Sequence, residues 1–190
     1  MTIVLATKNP HKIEEIKSIL GSDIDYQTLS DYFSMEVKEV GRTLLENSLA
    51  KALFTFKLTG KPSLADDSGL FVHALNGEPG IYSSRYGKDD NERLSRLLKN
   101  LQDKEDRKAV FKAVFVYYFA PDKYEVFTGE CAGKIAESPR GSGGFGYDPV
   151  FIPRGYKRTF AELGQEIKNR ISHRAAALKK FKNYLISAGR

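Results

Sequence analysis

Ala109 to Phe119 is a stretch of Val, Phe, Tyr and Ala broken by one lysine, Lys112. β-Branched and aromatic residues suit a pleated, packed surface, and a stretch this long predicts a central strand. Ala120-Pro121-Asp122-Lys123 follows as a turn, and Tyr124-Glu125-Val126-Phe127-Thr128 alternates behind it. The two segments therefore pair as a hairpin. Whatever surrounds them must cover a sheet.

Most of the surrounding segments carry helical signals. A short strand, Ile3 to Ala6, leads to Asn9 as an N-cap and Pro10 at the first helical position. Ile13, Ile16 and Leu20 give that helix one apolar face, and Gly21 ends it. Thr43-Leu44-Leu45-Glu46 has the capping-box pattern and opens a second helix, stopped by Gly60 and Pro62. A short strand is expected around Ser63 to Ala65, then helices from about Ser68 to Leu75 and from Asn91 to Leu101. The last helix is expected to begin at Ser172, with Ala175, Leu178, Phe181 and Leu185 as its apolar stripe and Gly189 at its end. The expectation is an α/β fold, a central mixed β-sheet flanked by helices, in one domain over residues 1–190.

The chain has 190 residues, 41% of them hydrophobic and 28% charged. A chain of this size buries roughly 70% of its unfolded surface and needs no staples. Its apolar runs fall far short of the ~20 residues that span a bilayer, and the start, broken by Lys8, does not read as a signal peptide. Cys131 is the one cysteine. It excludes an internal disulfide and a cysteine-built zinc site, and it suits a reducing cytoplasm. The net charge of +6 favours anionic partners. Basic residues are spread out rather than gathered in a nucleic-acid tail.

Four stretches carry chemistry. In Ala6-Thr7-Lys8-Asn9-Pro10-His11-Lys12 a strand runs into a helix N-terminus, where free N–H groups attract phosphate. Lys8 and Lys12 oppose the helix dipole there unless an anion binds. In Leu64-Ala65-Asp66-Asp67-Ser68-Gly69-Leu70 two carboxylates stand at an expected strand-to-helix junction, as hard ligands suited to Mg²⁺. Three capping residues in a row are more than one cap needs. Arg140 to Pro149 contains a literal G-x-G-x-x-G, but Pro149 follows it where a helix should open, so the dinucleotide reading is rejected. Its glycines instead suggest close approach to a ligand, with Phe145 or Tyr147 available to stack on a base. In Lys168-Asn169-Arg170-Ile171-Ser172-His173-Arg174, His173 and Arg174 fall in the first turn of the last helix, again against the dipole. His73 reads as a packing residue. Glu39 alone reads as a surface glutamate.

Taken in order, these stretches resemble the inosine triphosphate pyrophosphatases, the non-canonical purine nucleotide pyrophosphatase family. The likeness also takes in Leu44 to Ala52 and Pro79-Gly80-Ile81-Tyr82-Ser83-Ser84-Arg85-Tyr86, and so spans most of the chain. Ser48 departs from it, standing where many relatives have alanine. The resemblance implies an elongated α/β domain with two lobes around a cleft, usually assembled as a homodimer. It implies that Thr7, Lys8, Asn9, Pro10, His11 and Lys12 cradle a triphosphate, with Lys51 and Lys168 adding charge. It implies Glu39 and Asp67 as Mg²⁺ ligands, Asp67 also as general base, and Ser68 as a substrate contact. Phe145, Gly146, Tyr147 and Asp148, with His173 and Arg174, are implied as the base pocket.

The expected reaction is water attack on the α-phosphorus of ITP, dITP or XTP, giving the monophosphate and pyrophosphate. Donors in the base pocket would donate to the 6-oxygen of hypoxanthine or xanthine and meet the amino group of adenine donor to donor. On that reading, replacing Arg174 by alanine loses base preference more than stability. A pyrophosphatase for another modified base is the near alternative, and a nucleic-acid-binding module the remote one, because acidic Asp66 and Asp67 speak against it. The expected partner is a nucleotide, with neither nucleic acid nor membrane.

Overall fold

The computed structural model describes residues 1–32 and 39–189. Among these residues seven strands form one mixed sheet, in the order β2-β1-β3-β5-β6-β7, with β4 paired to β3. β1 (Thr2–Leu5) lies parallel to both β2 (Asp25–Thr28) and β3 (Ser63–Val72). β3 is antiparallel to β4 (Pro79–Gly80), and β6 (Lys123–Ile135) is antiparallel to β7 (Phe151–Pro153). Pro121 and Asp122 join β5 (Lys108–Ala120) to β6, with Asp122 in the left-handed region at φ 56°.

Contacts divide the chain into two compact units. The first comprises Met1–Asp67, Ala113–Gly129 and the C-terminal stretch from Arg174. Helix α1 (Pro10–Leu20) starts where the sequence says it should, because the Asn9 side chain accepts from the N–H groups of His11 and Lys12. Helix α2 (Leu44–Thr59) is capped by Thr43 and ends on left-handed Gly60. The reciprocal arm of its capping pattern is displaced by one residue: Glu46 accepts from the N–H of Arg42, at 2.6 Å. Ile16, Leu20, Leu64, Phe115 and Tyr117 pack with Leu178 and Phe181 of α6 (His173–Ser187). A second cluster joins Ala52 of α2 to Ala65 and Val116.

The second unit comprises Ser68–Lys112 and Glu130–His173. Its core gathers Leu94 and Leu97 of α3 (Asp90–Asn100) with Phe111, Tyr147, Phe151 and Phe160. Two short helices, α4 (Phe160–Leu163) and α5 (Gln165–Ile171), precede α6.

The helix expected from Ser68 to Leu75 does not exist. The strand expected to end at Ala65 runs on to Val72, and only His73–Leu75 turn as a 3-10 helix. All but two residues of β3 are buried, which marks a strand covered on both faces, and neighbouring strands override the capping character of Asp, Ser and Gly. His73 does not pack either: its side chain is 78% exposed and its Nδ1 meets Asp106 at 2.5 Å. Strands β2 and β4 and helices α4 and α5 are short enough to have left no periodicity to read.

Candidate active site

In the first unit the residues of interest converge on the middle of β3. Side chains alternate across a strand. Leu64 faces the core beneath α1 and α6, and Ala65 faces the core beneath α2. The alternation continues into the next two residues. Asp66 meets Lys12 of α1 at 2.9 Å and the Nε of Arg174, in α6, at 3.4 Å. Asp67 accepts from the Asn47 side-chain amide, in α2, at 2.8 Å. Adjacent carboxylates thus occupy different environments.

Those environments set opposite proton affinities. Burial alone would raise the Asp66 carboxyl, but Lys12, Arg174 and Lys51 outweigh it and hold the group well below the usual carboxylate range. Burial raises Asp67, and Glu39 adds to this against the opposing pull of Lys51. Lys12 is pushed down from the ordinary lysine value, first by burial and then by Lys51 and Arg174, with Asp66 opposing. Lys51 is raised: burial depresses it, but Asp66, Glu39 and Asp67 together attract its proton more strongly.

Arg174 is itself buried and donates to Glu15 at 2.6 Å as well as to Asp66. The sequence pointed to this guanidinium as a base reader. The structure places it between two buried carboxylates, a partner for α6 that a dipole argument alone does not reveal.

Around the α1 N-terminus, Thr7 Oγ1 accepts from the N–H of Asn9 at 3.2 Å, and no acidic residue occupies the first turn. Lys8 and Asn9 are half-buried, and Pro10 and His11 are exposed. Lys51 and Asn47 lie one helical turn apart on the α2 face that meets β3. The Lys51 ammonium donates to Glu39 and to the backbone carbonyl of Asp66, both at 2.6 Å. Two hard carboxylates, Glu39 and Asp67, therefore share one neighbour and feel each other's charge. Among the described residues no group of three or more His, Cys, Asp or Glu stands ready to hold a metal ion. The pair fits Mg²⁺, which takes one or two carboxylates and completes its shell with water and substrate phosphate.

The second unit holds the glycine-rich loop. Asp148 Oδ2 accepts from the N–H of Phe145 at 2.9 Å and forms an ion pair with Lys168 of α5. Both charged side chains of that pair are almost wholly buried. The Lys168 ammonium also lies 4.3 Å from the Phe145 ring centroid, a cation held against an aromatic face. Gly144, at φ 74°, is obligatory: a Cβ there would fall 2.1 Å from Asp148 Oδ2. Tyr147, offered by the sequence as a stacking ring, is instead buried in the core with its hydroxyl donating to the Ser83 carbonyl at 2.9 Å. His173 is buried and stacks on Phe111, with ring centroids 4.7 Å apart and planes 10° from parallel. Ser68 is half-buried in β3.

The fold and the charged cluster define an α/β protein whose cations gather beside a helix N-terminus, an arrangement suited to phosphate. The chain belongs to the Ham1 family, whose model matches residues 3–184. It is 48% identical over 184 residues to a dITP/XTP pyrophosphatase of Thermus thermophilus, an alignment covering 94% of this chain and 89% of that protein. Its structure is similar to that of a HAM1 protein from Coxiella burnetii, at a TM-score of 0.91 and 39% identity, covering 98% of this chain and 99% of the other. It is also similar to the Ham1 protein of Staphylococcus aureus, at a TM-score of 0.90 and 38% identity over 99% of this chain and 100% of that one.

Proposed function

We propose that this chain hydrolyses non-canonical purine nucleoside triphosphates (dITP, XTP and ITP) to the monophosphate and pyrophosphate. The observation that carries the reading is the placement of adjacent Asp66 and Asp67 on opposite sides of β3, one against Lys12 and the other against Asn47, with Lys51 donating to the Asp66 carbonyl. The names of the relatives, dITP/XTP pyrophosphatases, support it.

In this reading Thr7, Lys8, Asn9, Pro10, His11, Lys12 and Lys51 take the triphosphate through N–H groups and positive charge. Asp66 stays ionised and keeps Lys12 and Arg174 in place. Asp67, its carboxyl raised by burial, accepts a proton from the attacking water while the bond from the α-phosphorus to pyrophosphate breaks. Glu39 and Asp67 would hold Mg²⁺, which supplies charge neutralisation of the phosphate oxygens when bound.

Ser68, Gly146, Asp148, His173 and Arg174 remain in the proposal as substrate-binding residues. Tyr147 contributes by anchoring the loop. Phe145 supplies the ring for the base, and Lys168 presents a donor beside that ring. A 6-oxo purine offers Lys168 an acceptor, whereas adenine offers an amino group. Leaving such a buried group unpaired costs ~1–3 kcal/mol.

No described helix is long and apolar enough to cross a membrane. We further propose a cytoplasmic homodimer, on the resemblance and the single cysteine, and sedimentation velocity would measure the assembly. The activity is tested by pyrophosphate release from a panel of nucleoside triphosphates with Mg²⁺ and with EDTA. Metal-dependent release favouring dITP and XTP over the four standard nucleotides is expected. Equal rates on all bases would sink the base pocket, and no release at all would sink the reading.

A further inference from the structure

Three consecutive loop residues are each tied by a different hydrogen bond. The N–H of Phe145 is held by Asp148, and the hydroxyl of Tyr147 by the Ser83 carbonyl. Between them the N–H of Gly146 donates at 2.8 Å to Oδ2 of Asp90, the first residue of α3. We infer that Asp90 is a positioning residue for nucleotide recognition, holding Gly146 and, through it, the ring of Phe145. The inference rests on the reading of Phe145 to Asp148 as the base pocket.

Three observations separate this role from an ordinary helix start. Asp89 already caps α3, its side chain accepting from the N–H of Glu92 at 2.8 Å, so Asp90 is not needed there. Arg93, three residues on, pairs with the other Asp90 oxygen and turns the carboxylate toward a fixed position. Gly146 is left-handed at φ 61°, with open space where a Cβ would stand, so sterics do not hold it in that conformation. A glycine free to choose its backbone angles needs an external contact to fix where its N–H points. Asp90 is the one tether of the three that can be cut without touching the loop or the buried core, since its side chain is 46% exposed.

The test compares Asp90→Ala with Asp90→Asn, whose side-chain oxygen can still accept from Gly146. Losing a hydrogen bond to a charged group at a half-exposed site predicts a KM for dITP raised roughly 5- to 10-fold in Asp90→Ala, with kcat changed less than about 2-fold. Asp90→Asn should recover most of that loss. A second readout needs no substrate. The chain contains no tryptophan, so Phe145→Trp makes a single fluorescent reporter of the loop. Its acrylamide quenching should rise when Asp90→Ala is added and stay level with Asp90→Asn. Absence of dITP hydrolysis in the unaltered chain would strike the proposed function, while the quenching comparison would still decide the role of Asp90. An unchanged KM, equal losses in both variants, or quenching indifferent to Asp90 overturns the inference.

Discussion

Asp66 and Asp67 are covalent neighbours in β3, yet one carboxylate meets Lys12 and Arg174 while the other meets Asn47. The pleat separates them onto opposite faces. Two adjacent residues thus carry a carboxyl held well below the usual carboxylate range and one whose proton affinity is raised.

Asp67→Asn keeps the shape and removes the carboxylate proposed as the base. Turnover should fall by about 10²–10⁴, while nucleotide binding, measured by calorimetry, stays detectable. Pyrophosphate release at the normal rate would remove Asp67 from the chemistry.

Arg174→Ala should be, first, a stability mutant. It leaves the Glu15 and Asp66 carboxylates buried without their guanidinium. Breaking a buried ion pair from one side costs ~3–5 kcal/mol, which urea unfolding would read directly. This reverses the order of effects that the sequence suggests, where base preference was expected to suffer more. A variant as stable as the parent would return Arg174 to base reading alone.

Lys168→Met removes the ammonium that both neutralises Asp148 and sits against Phe145. KM for dITP should rise by ~10-fold or more, because a buried hydrogen bond to a charge is worth ~1.5–3 kcal/mol. The ratio of dITP to dATP turnover should fall with it. An unchanged ratio would show that the discriminating donor lies elsewhere.

Cys131 is buried, and burial pushes its thiol up to about 11. The folded state therefore holds this proton more tightly than the unfolded chain, where a thiol titrates near about 8.5. Its contribution to stability is whole below that value and is lost as pH rises from about 8.5 toward 11. Iodoacetamide at pH 8.5 should label the unfolded chain quickly and the native chain hardly at all. Equal labelling rates would contradict the burial.

Much of the fold was legible. Asn9, Thr43 and Gly60 announced α1 and α2 through local chemistry, and local chemistry is what a sequence displays. β3 was misjudged because Asp67, Ser68 and Gly69 favour caps and turns when isolated. Their strand conformation comes from partners distant in sequence, such as Gly80, whose carbonyl lies so close to Gly69 that a Cβ would meet it at 2.2 Å. At the candidate site, Lys12 and Asp67 were picked out by residue type and position, and Lys51 by the family resemblance. Glu15 as the counter-charge to Arg174, Ser83 as an anchor for Tyr147, and Phe111 beneath His173 were not. Each of these is a pairing between residues far apart in sequence, and no spacing rule points to it. Asp90 left only its place just ahead of an expected helix as a signal, and the structure makes it the first residue of α3.

The Glu15–Arg174 contact closes a separation of 159 residues. On a ribosome adding roughly 5–20 residues per second, Glu15 emerges tens of seconds at the slow end, and several seconds at the fast end, before its partner exists. The first unit is built from three separate stretches of chain, the last of which begins at Arg174. Lys12 and Lys51 can meet Asp66 early, but Glu15 cannot meet its guanidinium until Arg174 has been made. During translation the N-terminal third must wait for the stretch that begins at Arg174 before its unit can close.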